Sequence, residues 1–577
     1  MSVFSTLIFI IEVIYWFYID KDIFYMRLKQ LLLCCAAQLA GMAYAGTNIM
    51  VGKSCSADGS TFCTYSVDSY YQYGELSHYE AAENPKYAKR KIYGWETKKY
   101  QGTISESPIT YAVLGNMNEY QVCITESTFG GRAELVDTTG ILDYGNLIYI
   151  TLQRSKTAEE AIRVMTDLVA EYGYRSKGET FSIADPNNVW ILEMIGKGPD
   201  VKGAVWVARR VPDDCVCAHA NHSRITTFPL NDRANCRFSK DVISFAREKG
   251  YFKGRNAEFS FSDAYDPLSF SAHRFCDAKV WSVFRKIADD MDQYYDYIQG
   301  KSDTPLPLWV KPKTKLTINQ LKNLMRDHFE GTPLAMTGDP GAEPFGFPNR
   351  FAPRVWMVDS VYYFNETPTA GPQNAFSFVA QMRSWLPNMV GGVLWYGVDD
   401  ATFNVYCPIY CGVTEVPECF RKDNGSMLNF SWNSAYWVFN WVSNMAYGRY
   451  AAMSKDILRV QSEVEKNFED NLDVIEEAAK SLYRKSPDYA AKFLTEYSVN
   501  KARATVERWQ LLGQFLLVKY TDGVVKKERN GRFIDNGEGV PELILQPGYS
   551  DWFYRQIVKE TGDRYRLPDE FQGKQLK

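Results

Sequence analysis

The chain has 577 residues, 46% of them hydrophobic and 23% charged, an ordinary balance for a folded protein and enough length for a large core or several domains. Its formal net charge is −4 and no block of five or six like charges occurs, which argues against a polyanionic partner such as nucleic acid. Five histidines leave few candidates for a metal centre; His219 and His222 have no cysteine or carboxylate at ligand spacing, so neither a metal nor another cofactor is expected. The 15% aromatic content suits a peptide-binding cleft but equally fills a large core.

Two apolar stretches open the chain. Val3 to Tyr18 is interrupted by Glu12 and is short for a membrane span. After the basic run Met26-Arg27-Leu28-Lys29, the apolar run Leu31–Ala40 and the triplet Ala43-Tyr44-Ala45 have the form of a signal peptide cut after Ala45. Residues 1–25 then read as an upstream extension with Met26 the initiator, the alternative being an uncleaved anchor. Export to the periplasm or the extracellular space is the expectation. Cys34 and Cys35 leave with the signal and ten cysteines remain. Oxidising surroundings permit disulfides, with the cluster Cys407, Cys411 and Cys419 the favoured place and buried free thiols the alternative.

From Gly46 the pattern is strands and turns. Thr47–Gly52 and Thr61–Val67 flank an Asp58-Gly59-Ser60 turn. Tyr111–Leu114 and Gln121–Glu126 bracket the turn Gly115–Glu119. The apolar spacing of Ala161, Ile162, Met165, Leu168 and Val169 predicts a helix over Ala158–Tyr172. Thr180–Ala184 and Val189–Met194 form a hairpin through Asp185-Pro186-Asn187-Asn188. Sequentially paired strands with intervening helices imply an α+β fold. Residues 226–433 alternate helical pieces with Gly/Pro-rich loops, irregular over Gly338–Arg354, with buried strands at Phe376–Leu386 and Gly391–Tyr396. Ile457 to Leu482 keeps a helical spacing over about seven turns. Ser486-Pro487 stops that helix and starts another through Leu512, giving a helical hairpin that packs within the chain or between copies of it. The boundaries are thus 1–45, 46–433 and a helical region 434–577.

Several long motifs occur in order: AGTNIMVGKSCSADGSTFCTYSVDS, GNMNEYQVCITESTFGGR, FSIADPNNVWILEMIGKGP, VPDDCVCAHANHSRI, FSFVAQMRSWLPN and GGVLWYGVDDA. Together they resemble secreted bacterial dipeptidases of the dipeptidase A type, relatives of penicillin V acylases and bile salt hydrolases, over nearly the whole chain after residue 45. The resemblance implies the αββα sandwich of N-terminal-nucleophile hydrolases, with a C-terminal helical extension. It implies cleavage of dipeptides outside the cytoplasm, with no cofactor. Amide substrates of the acylase kind stay open.

In that chemistry the first residue of the mature chain is the nucleophile and its α-amine the base. The resemblance places Asp68 near the amine, Asn118 and Asn221 at oxyanion and substrate-orienting positions, and Arg224 on a substrate carboxylate. Two residues depart from the family pattern. Tyr65 stands three positions before Asp68, where the family has a basic residue. Gly46 stands at the nucleophile position, where the family has cysteine, and the cleavage motif independently makes it residue one. Cys55 and Cys63 lie too far along to inherit the amine. A retired enzyme that still binds peptides, an altered or erroneous codon 46, and an unrecognised nucleophile all remain open.

Overall fold

A computed structural model describes residues 46–573. The expected signal peptide, its cleavage point and the upstream extension lie outside the described residues. The described residues 46–573 belong to one compact unit.

Seventeen strands matter here. In chain order they are β1 (Asn48–Val51), β2 (Thr61–Asp68), β3 (His78–Tyr79), β4 (Val113–Leu114), β5 (Met117–Asn118), β6 (Cys123–Gly130), β7 (Gly178–Ala184), β8 (Val189–Gly196), β9 (Ala204–Arg210), β10 (Val216–His219), β11 (Cys236–Phe238), β12 (Trp309–Val310), β13 (Val355–Val358), β14 (Val361–Phe364), β15 (Asn374–Met382), β16 (Val393–Val398) and β17 (Cys407–Tyr410). One sheet has the order β12-β10-β1-β2-β15-β16-β17 and the other β11-β9-β8-β7-β6-β5-β4-β3. The principal pairings in both are antiparallel. β13 and β14 form a separate hairpin that the sequence pattern does not predict.

The two sheets meet where β2 lies against β6 and β7. Strand alternation sorts the side chains between two cores. Ile191 and Ile195 of β8 join the core shared with the first sheet, while Trp190, Leu192 and Met194 point the other way. There they meet Leu147, Ile148, Ala161, Ile162, Met165 and Leu168, from α1 (Tyr144–Leu152) and α2 (Ala158–Tyr172). The predicted helix is observed at its expected ends because Thr157 caps it, its hydroxyl accepting from Glu160 N–H, and Gly173 closes it at positive φ.

The outer face of the first sheet is covered by α4 (Ala435–Tyr447), α5 (Tyr450–Asp470), α6 (Leu472–Lys485) and α7 (Pro487–Lys519), after α3 (Ala278–Ile287), which precedes them in the chain and touches β10. The expected seven-turn helix is two, α5 and α6. Asn471 ends the first with ψ near zero and its amide on the Asn467 carbonyl, a local bond that periodicity does not register. Val438, Phe439, Val442 and Trp509 belong to the same core as β15 and β16, so these helices complete the hydrophobic interior. Ser486 caps α7 ahead of Pro487 as expected.

No disulfide joins the described cysteines, which corrects the favoured reading of the 407–419 loop: all ten are buried thiols. Cys407 is the first residue of β17, Cys411 donates to the Asn388 carbonyl at 3.1 Å, and Cys419 sits in a 3₁₀ turn, each packed as a small apolar group.

Asp399, just after β16, ties this sheet to α4: Asn440 Nδ2 donates to it at 2.8 Å and Ser443 Oγ at 2.7 Å. Burial lifts its carboxyl to about 7 despite those bonds. A pKa raised on folding makes the wild type lose stability as pH climbs from the unfolded value near 4 towards 7. Relative to Asp399→Asn, we expect the wild type to fall by about 2–4 kcal/mol across that window. Urea unfolding of both proteins at pH 4.5 and 7.5 checks the sign, since a constant difference would contradict it.

Candidate active site

β5 pairs with β6 only at Cys123, so beyond that point one edge of β6 lacks a partner strand. Unpaired carbonyls in a buried place need donors. Two asparagines supply them: Asn48 Nδ2 donates to the Glu126 carbonyl at 2.8 Å and Asn221 Nδ2 to the Thr128 carbonyl at 2.9 Å. Gly46 enters β1 at this edge, and its N–H donates to Asn221 Oδ1 at 2.8 Å. The next residue is locked to β2, Thr47 N–H on Ser66 Oγ and Ser66 N–H on the Thr47 carbonyl. Residue 46 therefore has a fixed position beside β6, and its nitrogen is held by the amide that the motif HANHSRI supplies.

Asn221 reaches that place because it adopts φ +62°, a left-handed conformation that asparagine tolerates better than most residues. Its own N–H donates to Ser127 Oγ at 3.2 Å. Ser127 Oγ lies 2.6 Å from His219 Nδ1, and His219 Nε2 lies 2.7 Å from Ser182 Oγ. Burial between the sheets, helped by Arg224, lowers His219 to about 3, so the ring is neutral. It acts as a spacer between two serines.

The loop after Asn221 is nailed down by Glu193 of β8, which accepts from Ser223 Oγ at 2.5 Å, from Arg224 N–H, and from Ile225 N–H at 3.1 Å. Burial raises this carboxyl to about 7 even so. Arg224, expected on a substrate carboxylate, has partners within the fold. It is buried, with Nη2 on the Pro307 carbonyl at 2.7 Å and Nη1 3.9 Å from Asp277. Its guanidinium ties these segments together and presents no free face to a ligand. His222 also turns inward, Nδ1 2.8 Å from Asp277, whose carboxyl His222 and Arg224 hold down at about 2 against its burial. Among the described residues no group of three or more His, Cys, Asp or Glu is placed to hold a metal ion.

Asp68 ends β2. Its Oδ2 is 3.1 Å from Lys279 Nζ and its Oδ1 accepts from Asn374 Nδ2 at 2.6 Å, with all three side chains buried. Asn374 also donates to the Thr369 carbonyl, and Thr369 Oγ1 is 3.5 Å from Thr47 Oγ1, so Asp68 is linked by hydrogen bonds to the residue beside Gly46. Burial lifts its carboxyl above the usual range, against the opposing Lys279 charge. Lys279 rides on α3, directly after a π-helical turn at Ala272–Asp277 that also carries Asp277. Wide turns of this kind re-aim side chains within a helix.

Asn118 is not assembled with these groups. Its Oδ1 accepts from Tyr120 and Val122 N–H, and its Nδ2 donates to the carbonyls of Leu152 and Ser155. Every capacity of the amide is used to close the turn and fasten it to the end of α1, the turn chemistry that asparagine performs commonly. The expected oxyanion position Asn118 is thus found in this turn, with its amide bonded to Tyr120, Val122, Leu152 and Ser155.

Tyr65, in place of a basic residue, donates to Glu126 Oε1 at 2.5 Å. Glu126 and Thr128 share a face of β6, and Thr128 Oγ1 donates to Glu179 Oε1 at 2.8 Å across the pairing with β7. This carboxyl pair, Glu193 and Lys279 were not among the candidates that sequence suggests. Their signal was present in part: Glu126, Glu179 and Glu193 are acids inside otherwise apolar or hydroxylic strands, where a charge needs a partner.

At Gly46 itself a Cβ would lie 2.7 Å from the Ser66 carbonyl oxygen, 3.6 Å from the Glu126 carbonyl and 3.7 Å from the Tyr65 ring. The first separation is too short for carbon against a backbone oxygen, so the surroundings are fitted to glycine.

The model of peptidase family C69 matches residues 45–463, beginning one residue before Gly46. A probable dipeptidase of Salmonella dublin is 26% identical over 402 residues, covering 65% of this chain and 82% of its own length. Dipeptidase A of Lactobacillus helveticus is 24% identical over 452 residues, 73% of this chain and 84% of its own. A dipeptidase of Bifidobacterium longum is 23% identical over 461 residues, 72% and 80%. With the family match running through both sheets and across Gly46, Asp68 and Asn221, this chain belongs to peptidase family C69.

Proposed function

We propose that this protein is an exported dipeptide-binding member of the family, built on the αββα frame of N-terminal-nucleophile hydrolases and lacking the nucleophile. The observation that carries the reading is the Gly46 N–H on Asn221 Oδ1 at 2.8 Å, at the start of β1. A residue 46 nitrogen held by the asparagine of the HANHSRI motif supports reading it as the position of the family's nucleophile. The layer order of helix pair, eight-stranded sheet, seven-stranded sheet and helices supports the frame, and the relatives named as dipeptidases support the ligand class. Glycine has no side-chain atom to form an acyl-enzyme. Loss of a nucleophile lowers turnover by roughly 10⁶-fold in a well-studied hydrolase.

Calorimetry with Ala-containing dipeptides should therefore register binding without product. Gly46→Cys should add turnover, together with a stability loss of about 1–3 kcal/mol as the Ser66 carbonyl gives way to the new Cβ. Equal turnover by wild type and Gly46→Cys would overturn the assignment of residue 46. Failure of both proteins to bind or cleave any dipeptide would overturn the function. The mass of the mature N-terminus tests the cut after Ala45, and a chain retaining residue 30 would contradict export by this route.

A further inference from the structure

The exposed hairpin of β13 and β14 is closed at its base by Asn365, whose N–H donates to the Arg354 carbonyl at 2.8 Å and whose Nδ2 donates to the Pro353 carbonyl at 3.1 Å. The backbone of Arg354 is thereby held in place while its side chain stays exposed. Its guanidinium lies over the Phe275 ring, 5.0 Å from the centroid. Among the described residues that guanidinium makes no hydrogen bond and no ion pair. Other arginines nearby are committed: Arg274 holds Glu366 through two nitrogens, Arg350 holds Asp339, and Arg224 is enclosed. Arg354 is a cation in a fixed place without an acid.

That place adjoins the site. Phe275 lies in the π-helical turn and stands four positions before Lys279, whose ammonium is 3.1 Å from Asp68. Asn365 stands four positions before Thr369, whose hydroxyl is 3.5 Å from that of Thr47, and four residues of chain span at most about 14 Å. Burial raises the Asp68 carboxyl, and the Arg354 charge joins that of Lys279 in opposing the rise.

A second group approaches Asp68 from its other oxygen. Asn349 is 3% exposed, yet its side-chain amide makes no hydrogen bond among the described residues, which is uncommon for a buried amide. Its Oδ1 and Gln373 Oε1 lie 2.8 Å and 2.7 Å from the point where a Cβ on Gly371 would sit. Gly371 N–H donates to Asn374 Oδ1 at 3.0 Å, and Asn374 Nδ2 donates to Asp68 Oδ1. A buried amide with unspent capacity therefore stands one residue contact away from the partner of Asp68.

A guanidinium lying over a ring keeps its N–H edge free, and that edge matches a carboxylate through two parallel bonds. An amide offers a further N–H. In a dipeptide the free carboxylate is separated from the scissile carbonyl only by the amide nitrogen and one carbon. We propose that Arg354, with the amide of Asn349 as a second donor, forms the subsite for the C-terminal carboxylate of the dipeptide. This assignment rests on the dipeptide-binding reading and names what limits the ligand to two residues, since a longer peptide carries no charge at that place.

The test is calorimetry of Ala-Ala and its C-terminal amide on the full protein, at low and at high salt. The wild type should bind the free acid about tenfold or more tighter than the amide, with the difference shrinking at high salt. Arg354→Gln should keep the melting temperature, because the side chain is exposed, and bind both peptides as the wild type binds the amide. Arg354→Lys restores the charge without the fork and should recover part of the preference. Asn349→Ala should reduce the preference about threefold or more. Equal binding of acid and amide by the wild type, or an undiminished preference in Arg354→Gln, would overturn the subsite and leave the dipeptide reading standing. An undiminished preference in Asn349→Ala would overturn the part given to the amide. No binding of either peptide to the wild type would overturn the dipeptide reading, and the subsite with it.

Discussion

Lys279→Met is expected to destabilise the protein by about 3–5 kcal/mol, among the largest effects of any single substitution near the site. Lys279 and Asp68 are 3.1 Å apart and both buried. Removing the ammonium leaves Asp68 with the Asn374 amide as its remaining close partner, in a place where burial already lifts its carboxyl. A buried pair of this kind adds little net stability over an apolar pair of the same size, but a lone buried charge is strongly unfavourable. The double variant Asp68→Asn/Lys279→Met should therefore recover most of the loss, to within about 1–2 kcal/mol of wild type. Denaturant unfolding of the two single variants and the double variant measures this. A single-variant loss below about 1 kcal/mol would contradict the tertiary pairing of β2 with α3 at this point.

Glu193→Ala should cost a similar amount, about 3–5 kcal/mol, for a different reason. Three donors from one segment, Ser223 Oγ, Arg224 N–H and Ile225 N–H, converge on this carboxyl beside Thr180 Oγ1 at 3.4 Å, and alanine would leave those three buried without an acceptor. The effect should extend to the site, because these donors anchor the segment immediately after Asn221, whose left-handed backbone aims its amide at Gly46 and Thr128. Dipeptide affinity is expected to fall by at least about tenfold in a variant that remains folded, a change of about 1.4 kcal/mol. Glu193→Gln keeps one acceptor oxygen and should lie between. Unchanged affinity in a destabilised Glu193→Ala protein would separate the anchor from the site.

These expectations depend on residues whose roles differ greatly in how far sequence discloses them. The helix Ala158–Tyr172 was readable to its ends because its apolar spacing and its caps are local properties. The first hairpin and the β7–β8 hairpin were readable for the same reason: their turns carry Asp, Gly, Asn and Pro between alternating strands. The helix Tyr144–Leu152 and the exposed hairpin Val355–Phe364 were not anticipated, and Ala278–Ile287 only as an unplaced helical piece within residues 226–433, since short apolar runs fit strand and helix equally well.

At the site the division is sharper. Sequence by itself determined which residue stands at position 46, that a strand follows it, and that Asn221 lies in the motif HANHSRI, because motif order and strand pattern are carried by neighbours in the chain. Only the tertiary structure decided that Asn221 reaches Gly46 across 175 positions while Asn118 closes a turn, that Arg224 is enclosed, and that Lys279 answers Asp68. The physical reason is that an amide or a charge has several possible partners of equal chemistry. Which one it meets is fixed by how two sheets stack and where β6 runs out of a neighbour, and that geometry is a property of the whole packed chain.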